Sequence, residues 1–567
     1  MYANSKGGGF LSRCEPGIFL ALVVFSAFGF VIPPSPQGHL FVGIIITAAF
    51  ACVGFLIFGG VLRRRDLNFP QWAAGALWIP VTALLIAVVI LKLGMIQFGG
   101  FDHSALIDMG LRFVNGQHPY RDFPCTMPPV FYLGSGMAFR CFGISWWSLI
   151  LVAAVFAAGT YVWAWFLLNK ALRNGFLAWM FALLLQASTM ILISYWWYNP
   201  VTTVAGSLFF LSAWCLIESP KSKPVWVSFV FSLALLALAK PNIAGLLIIG
   251  GGGILLLTPA RLTAIYLTLV AIALTMVGMF SSGIAPLDII NGYVGIAGRG
   301  ATLNQLFQDL GTGEKVLSSG ILIALLLPWL AIIRKVFSSR SNPFLWLSMV
   351  GVASGVYGFL TNGELKLVDT FLVFIATFLA VSLVVRTQRD NVDSLVLIDP
   401  RWGAVYGIFA SILIGISCAQ AVTRHRVEGI GPGLFFEYQL SDQRFDTGFF
   451  KGLQTGRTFL EVYTEAQSAL THSRDQSVYF GPRMQWGYAA FGIAPPLHQP
   501  SWWHPGVSFP KNMESELIGE WNSHHFDLLI FLKNDVTYMS SEFLGVLNRS
   551  YSVDQSYPLL TILHRIH

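Results

Sequence analysis

Charge is what this chain has least of. Only 11% of its 567 residues are Asp, Glu, Lys or Arg, against 55% apolar residues and a mean hydropathy of +0.64, where a soluble domain carries about 25% charged residues. That balance excludes a soluble enzyme. Cysteine is also scarce, and six Cys in such a length build no disulfide framework. Cys14, Cys52, Cys215 and Cys418 lie in or beside apolar runs, whereas Cys125 and Cys141 share one loop. That loop pair admits either a disulfide in an oxidising compartment or two unpaired small residues, because spacing does not fix geometry. There is no internal repeat and no low-complexity tract. The net charge of +7 does not point to nucleic acid: Val422 to His567 holds 11 Lys/Arg against 14 Asp/Glu, so the surplus sits on the apolar part, where basic residues set membrane topology.

What is there in abundance is long apolar runs. A spanning helix needs roughly 20 apolar residues. Runs of that kind fall near 16–34, 39–62, 72–96, 145–168, 175–194, 200–217, 225–240, 243–258, 262–281, 316–333, 343–360, 367–385 and 402–421. The expected fold is therefore an α-helical polytopic membrane protein of about 13 transmembrane helices over 1–421, followed by a small C-terminal mixed α/β domain over 422–567. Arg63, Arg64, Arg65, Lys170, Arg173, Lys221, Lys223, Arg261, Arg334, Lys335, Arg386 and Arg389 occupy the linkers after even-numbered runs, which the positive-inside rule makes cytoplasmic. The N-terminus is then cytoplasmic as well. The loops at 97–144, 195–199 and 282–315 share the outer face with the C-terminal domain. The first run is long and lacks a clean small-residue cleavage pattern after Ile32-Pro33-Pro34, so it reads as a retained helix.

Function concentrates on loops held by a rigid scaffold, and a first outer loop of 48 residues, 97–144, is exceptional among these linkers. It opens with Gly99-Gly100-Phe101-Asp102-His103. Ala105, Leu106, Met109 and Phe113 then fall on one helical face while Asp108, Arg112 and Asn115 point the other way, as in a helix lying along a membrane surface. Gly116 ends that helix, and His118-Pro119-Tyr120-Arg121-Asp122-Phe123 leads to Met127-Pro128-Pro129.

An Asp at the outer end of a span, a surface helix, G-x-x-PYRDF and then PP-x-x-Y resemble the first outer loop of GT-C-fold glycosyltransferases, membrane enzymes that use polyprenyl-phosphate sugars. The aminoarabinose, mannosyl and rhizobial lipopolysaccharide transferases are the relatives meant. The likeness is residue-specific over 102–132 and fainter at Tyr198-Asn199-Pro200 and Lys240-Pro241-Asn242. It implies that Asp102 is the catalytic base; the loop itself offers Asp108 and Asp122 as backups. An Asp just before a helix is also a favoured N-cap, Asp108 fits a solvated helix face, and Asp122 can pair locally with Arg121. His103, Tyr120, Arg121, Tyr198 and Asn199 are the expected substrate contacts of these segments. Two departures stand out: relatives often carry an acidic pair where this chain has Asp102-His103, and a Lys where it has Met127. Donor identity and phosphate contacts are therefore not carried over.

The chemistry asks for such residues in its own right. Transfer from a lipid-phosphate sugar needs a base for the acceptor hydroxyl proton and cations or N–H groups for the departing phosphate. Lys240 interrupts an apolar run just before Pro241-Asn242, at the outer end of a span, where it either meets a phosphate or snorkels. Arg299 sits between Gly298 and Gly300, where guanidinium and backbone can both approach an anion. Glu364 and Lys366 can pair with each other. Tyr195-Trp196-Trp197-Tyr198 reads first as an interfacial aromatic belt and second as a sugar platform. Trp502-Trp503-His504, between Pro500 and Pro505, offers a second platform for a sugar or lipid acceptor.

No cofactor is called for beyond the polyprenyl-phosphate sugar as donor substrate. A divalent metal is only weakly signalled, since His524, His525 and Asp527 match no ligand spacing. In the tail, Phe459, Val462, Ala466 and Leu470 share a helical face. Runs at 477–480, 526–532 and 559–563 read as buried strands, and Gly481-Pro482-Arg483-Met484 as a turn. The leading expectation is thus an inverting GT-C glycosyltransferase of a bacterial inner membrane, acting at the periplasmic face on a cell-envelope glycan, lipid (lipopolysaccharide among them) or protein. A lipid-linked sugar flippase is the alternative, but a transporter places ionisable groups at the bilayer midplane, and here they cluster at the outer rim. An O-antigen polymerase or ligase ranks lower, because such enzymes rely on a large late loop with paired Arg.

Overall fold

The structure, a computed structural model, describes residues 77–96, 98, 101–125, 127–294, 313–338, 342–361, 366–389, 400–427, 443–472, 477–501, 503–506, 508–533, 539–554 and 557–566. The apolar runs become helices α1 (Trp78–Leu93), α4 (Trp146–Leu172), α5 (Gly175–Gln186), α6 (Tyr198–Glu218), α7 (Lys223–Ala237), α8 (Pro241–Leu256), α9 (Arg261–Ser281), α11 (Gly313–Ser338), α12 (Pro343–Thr361), α13 (Thr370–Arg389) and α14 (Pro400–Val427). Each of the eleven runs expected from residue 72 onward falls on one of them. The two earlier runs lie outside the described residues. Between them sit the loop helices α2 (Phe101–Val114), α3 (Pro129–Phe142) and α10 (Pro286–Val294).

Local chemistry sets the ends. The Ser145 and Asn174 side chains accept from the amides of Ser148 and Leu177 to start α4 and α5. Pro241 opens α8 at the first helical position, where a missing N–H costs nothing. Among the described helices, α4, α6, α9, α12 and α14 are long and apolar enough to cross a membrane. Helix α6 is almost wholly enclosed by its neighbours, whereas α9 leaves Leu262 74% and Val277 65% exposed, an apolar surface suited to lipid.

The C-terminal segment contains the short pair β1 (Gln443–Arg444) and β2 (Gln454–Thr455), then α15 (Arg457–His472), β3 (Val478–Phe480), α16 (Trp486–Phe491), α17 (Glu514–Ser523), β4 (Leu528–Leu532), α18 (Ser541–Ser550), β5 (Tyr551–Asp554) and β6 (Leu560–Arg565). The main sheet has the order β3-β4-β6-β5, with β3 parallel to β4 and the other pairs antiparallel. Strand β4 is buried on both faces, which explains its unbroken LLIFL. Its period of two sorts the side chains: Leu528, Ile530 and Leu532 join the core of α15 and α16, while Leu529 and Phe531 join that of α17 and α18. The first of these cores is continuous with that of the helical part. Backbone bonds reinforce the seam, from Gln454 N–H to Met95 O (2.9 Å) and from Trp146 N–H to Phe449 O (3.0 Å).

Candidate functional site

Helix α2 begins at Phe101, so Asp102 falls in its first turn and not at the N-cap position. A carboxylate there benefits from the positive end of the helix dipole. The Asp102 side chain lies outside the described residues. His103 is 4% exposed, its ring packed 4.2 Å from Tyr195, 5.0 Å from Trp146 and 5.2 Å from Phe98, so the expected substrate contact is instead enclosed by rings.

Ala105, Leu106 and Met109 are buried as the periodicity predicts, but on the opposite face Asp108 and Arg112 are buried too, and only Asn115 of that face is exposed. That corrects the reading of α2 as a surface helix and of Asp108 as solvated. The C-terminal segment covers this face. Ser104 donates to Gln485 Oε1 (3.1 Å) and accepts from the amide of Trp486 (3.0 Å). One turn on, Asp108 Oδ2 takes Nε of Arg112 at 2.8 Å, both side chains being at most 1% exposed. Nη1 of Arg112 donates to Gln117 Oε1 (2.9 Å) and to Pro496 O (3.0 Å), and its guanidinium lies 4.4 Å over the Phe123 ring. Gln117 Nε2 in turn donates to Pro495 O (2.8 Å). Burial pushes the Asp108 carboxyl above its usual range while Arg112 pulls it down. As a base for an incoming hydroxyl, Asp108 is out of reach beneath this cover.

The PYRDF stretch is a self-contained turn. Asp122 Oδ2 accepts from His118 N–H (2.8 Å), and its carboxylate takes two bonds from the exposed Arg121, at 2.8 and 3.1 Å. Those Arg121 bonds, against partial burial and with help from His118 N–H, hold the Asp122 carboxyl below its ordinary range. The local pairing expected of Asp122 is thus observed, and it makes a poor proton acceptor. Tyr120, at φ +70°, donates to Met127 O. The turn is pinned on two sides: His118 Nδ1 meets Ser282 O at 3.0 Å, and His498 N–H donates to Asp122 O at 2.8 Å. Gly283, at φ +71°, lies against the His118 ring, so any side chain there is both strained and obstructed.

Tyr195, Trp196 and Trp197 are between 2% and 5% exposed. They are no lipid-facing belt, which corrects the first reading. Instead they form a floor between the start of α2 and the Lys240 turn. From Tyr195, beside His103, ring contacts run through Trp197 (6.0 Å) to Tyr198 (4.7 Å), and Lys240 Nζ lies 5.9 Å from the Tyr198 ring centre. The Trp196 indole donates to Val130 O (3.2 Å), and Val130 N–H to Leu238 O (3.0 Å), tying α3 to the same turn. Lys240 N–H donates to Thr202 Oγ1 (3.2 Å). Asn199 is half-buried on the first turn of α6. Sequence reasoning missed Asp369, which is 3% exposed and accepts from Thr203 Oγ1 (2.9 Å) on the second turn of α6. A carboxylate inside the apolar run at 367–385 was the available signal.

Other candidates separate from this cluster. Arg299 and Trp502 lie outside the described residues, as does the side chain of Lys366. Trp503 is fully buried, stacked 4.0 Å from Phe543 with its indole N–H on Glu514 (3.2 Å), so it is a core residue and not an exposed platform. His504 is half-buried in a turn, its amide donating to Ser508 Oγ (3.0 Å). His524 contacts Leu497 O (2.9 Å) and Asp527 accepts from Ser477 N–H (2.9 Å). Cys125 is buried and Cys141 exposed, both as free thiols. Burial pushes the Cys125 thiol up to about 12. Iodoacetamide is therefore expected to modify Cys141 in the native protein and spare Cys125. If both resisted until a reductant was added, a disulfide would replace this picture.

No family model matches the chain, and no curated protein does. Solved structures do. ArnT from Cupriavidus metallidurans, crystallised bound to undecaprenyl phosphate, is 11% identical and aligns with a TM-score of 0.46 over 87% of this chain and 99% of its own. The oligosaccharyltransferase of Archaeoglobus fulgidus, crystallised with Zn and sulfate, is 12% identical, with a TM-score of 0.35 over 80% of this chain and 68% of its own.

Proposed function

We propose that the chain is a GT-C-type glycosyltransferase that moves a sugar from a polyprenyl-phosphate donor to a cell-envelope acceptor at the outer face of a bacterial inner membrane. Asp102 takes the proton of an acceptor hydroxyl, whose oxygen attacks the anomeric carbon. The bond from that carbon to the phosphate oxygen breaks, and polyprenyl phosphate leaves with its electron pair. A single displacement of this kind inverts the anomeric centre. Lys240 and Arg299 neutralise the leaving phosphate, a role that fixed cations perform well because they need no reorganisation during reaction.

The observation that carries the proposal is the aromatic floor from His103 through Tyr195 and Trp197 to Tyr198, which sets the first turn of α2 and the Lys240 ammonium at one end of the bundle. Asp102 on that first turn, a cation beside the Tyr198 ring and exposed apolar helix faces are what an acceptor proton, a phosphate and a lipid tail would each require. Lys240→Gln keeps a polar side chain, one bond shorter, and removes the charge. It is expected to raise KM for a polyprenyl-phosphate sugar about tenfold, the scale of a charge-assisted contact, with a smaller change in kcat. An unaltered KM, measured by release of free polyprenyl phosphate, would remove Lys240 from the donor site.

A further inference from the structure

The stripe Ser104, Asp108, Arg112 repeats every four residues on α2, and all three side chains are buried against one short stretch, 485–501. At a rise of 1.5 Å per residue, the grips on Ser104 and Arg112 are about 12 Å apart along the helix. A rigid rod held at two such points neither rolls nor slides. The stretch that holds it is itself braced: Gly492 closes α16 in the left-handed conformation, and Ile493 N–H donates to Tyr488 O (2.8 Å).

Arg112 is unusual among these groups because it serves three acceptors together, on Asp108, Gln117 and the main chain of Pro496. A lysine ammonium has no planar fork to reproduce that set. Apolar pairs often match or exceed the stability of a buried ion pair. The directed bonds therefore add register, which packing alone does not supply.

We infer that Arg112 is a positioning residue that, with Asp108 and Gln117, clamps α2 onto the Pro495-Pro496 turn, so that the seating of the C-terminal segment fixes where the Asp102 end of the helix stands. This rests on the proposed transfer reaction for its functional meaning. Arg112 touches no reacting atom; it acts through α2.

The test uses the full chain in detergent and two variants, Arg112→Lys and the apolar pair Asp108→Leu/Arg112→Met, which keeps the interface filled. Hydrogen exchange reports the clamp at the Trp486 amide, which is bonded to Ser104, and turnover of pooled polyprenyl-phosphate sugars reports its effect. Exchange at Trp486 is expected to rise at least tenfold in both variants. The kcat is expected to fall at least tenfold with donor KM within twofold, also in the double variant, whose thermal midpoint stays near that of the wild type. Unchanged exchange at Trp486, or wild-type kcat in the double variant, would overturn the clamp. A wild type that turns over no donor while exchange rises as expected would defeat the transferase reading and leave the clamp standing.

Discussion

Asp102→Asn is expected to lower kcat for sugar transfer by about 10²- to 10⁴-fold, the usual worth of a positioned general base. Asn is nearly isosteric and neutral, and α2 does not depend on this side chain as an N-cap, because the helix already begins at Phe101. The thermal midpoint should therefore move little while turnover collapses. The donor KM should also hold, since the carboxylate acts on the acceptor's proton and not on the lipid phosphate. The natural alternatives are weakened by their surroundings. Asp108 is enclosed with Arg112, and Asp122 is held ionised by Arg121 and His118 N–H. Asp122→Asn is accordingly expected to retain most of the activity. If Asp102→Asn kept wild-type turnover and Asp122→Asn lost it, the base would belong to the PYRDF turn.

The second large effect is on stability. Asp108→Asn leaves the Arg112 guanidinium in a buried interface without its counter-charge, and breaking such a buried pair from one side costs about 3–5 kcal/mol. Replacing both partners, as in Asp108→Leu/Arg112→Met, is expected to restore most of that loss, because no charge is then stranded. Arg121→Ala provides the contrast. Its pair with Asp122 is exposed at the arginine, 57% by side chain, where solvent and salt screen the attraction, and the thermal midpoint should stay put. Equal shifts for Asp108→Asn and Arg121→Ala would mean that the α2 interface admits water, contrary to its burial.

Much of the architecture was legible because hydropathy is a one-dimensional signal. The apolar runs from residue 72 onward mark helices, Gly116 marks the end of α2, and the runs at 477–480, 526–532 and 559–563 mark three strands of one sheet. Asp122 with Arg121 was legible because the partners are neighbours in sequence. What escaped was cover. Periodicity assigns Asp108 and Arg112 to the polar side of α2 but is silent on Pro495 and Pro496, nearly 400 residues away, which turn that side inward. Trp503 looked exposed for the same reason, since its stacking partner Phe543 comes from a distant helix. The rings at 195–197 illustrate the reverse error: an aromatic cluster at a span end has the composition of an interfacial belt, yet here α2 and α3 close over it. Asp369 was overlooked because its partner Thr203 lies in another helix. The four-residue spacing of Ser104, Asp108 and Arg112 was present in the sequence and was the one clue to a polar interface.

The measurement that bears most directly on the central claim is the stoichiometry of a single turnover by the purified wild type in sealed vesicles, with pooled polyprenyl-phosphate sugars as donors and an envelope extract as acceptor source. The expected result is free polyprenyl phosphate and glycosylated acceptor in equal amounts, both absent when the extract is withheld. Donor that crosses the bilayer with its sugar still attached, and no free polyprenyl phosphate, would contradict it and make the protein a transporter.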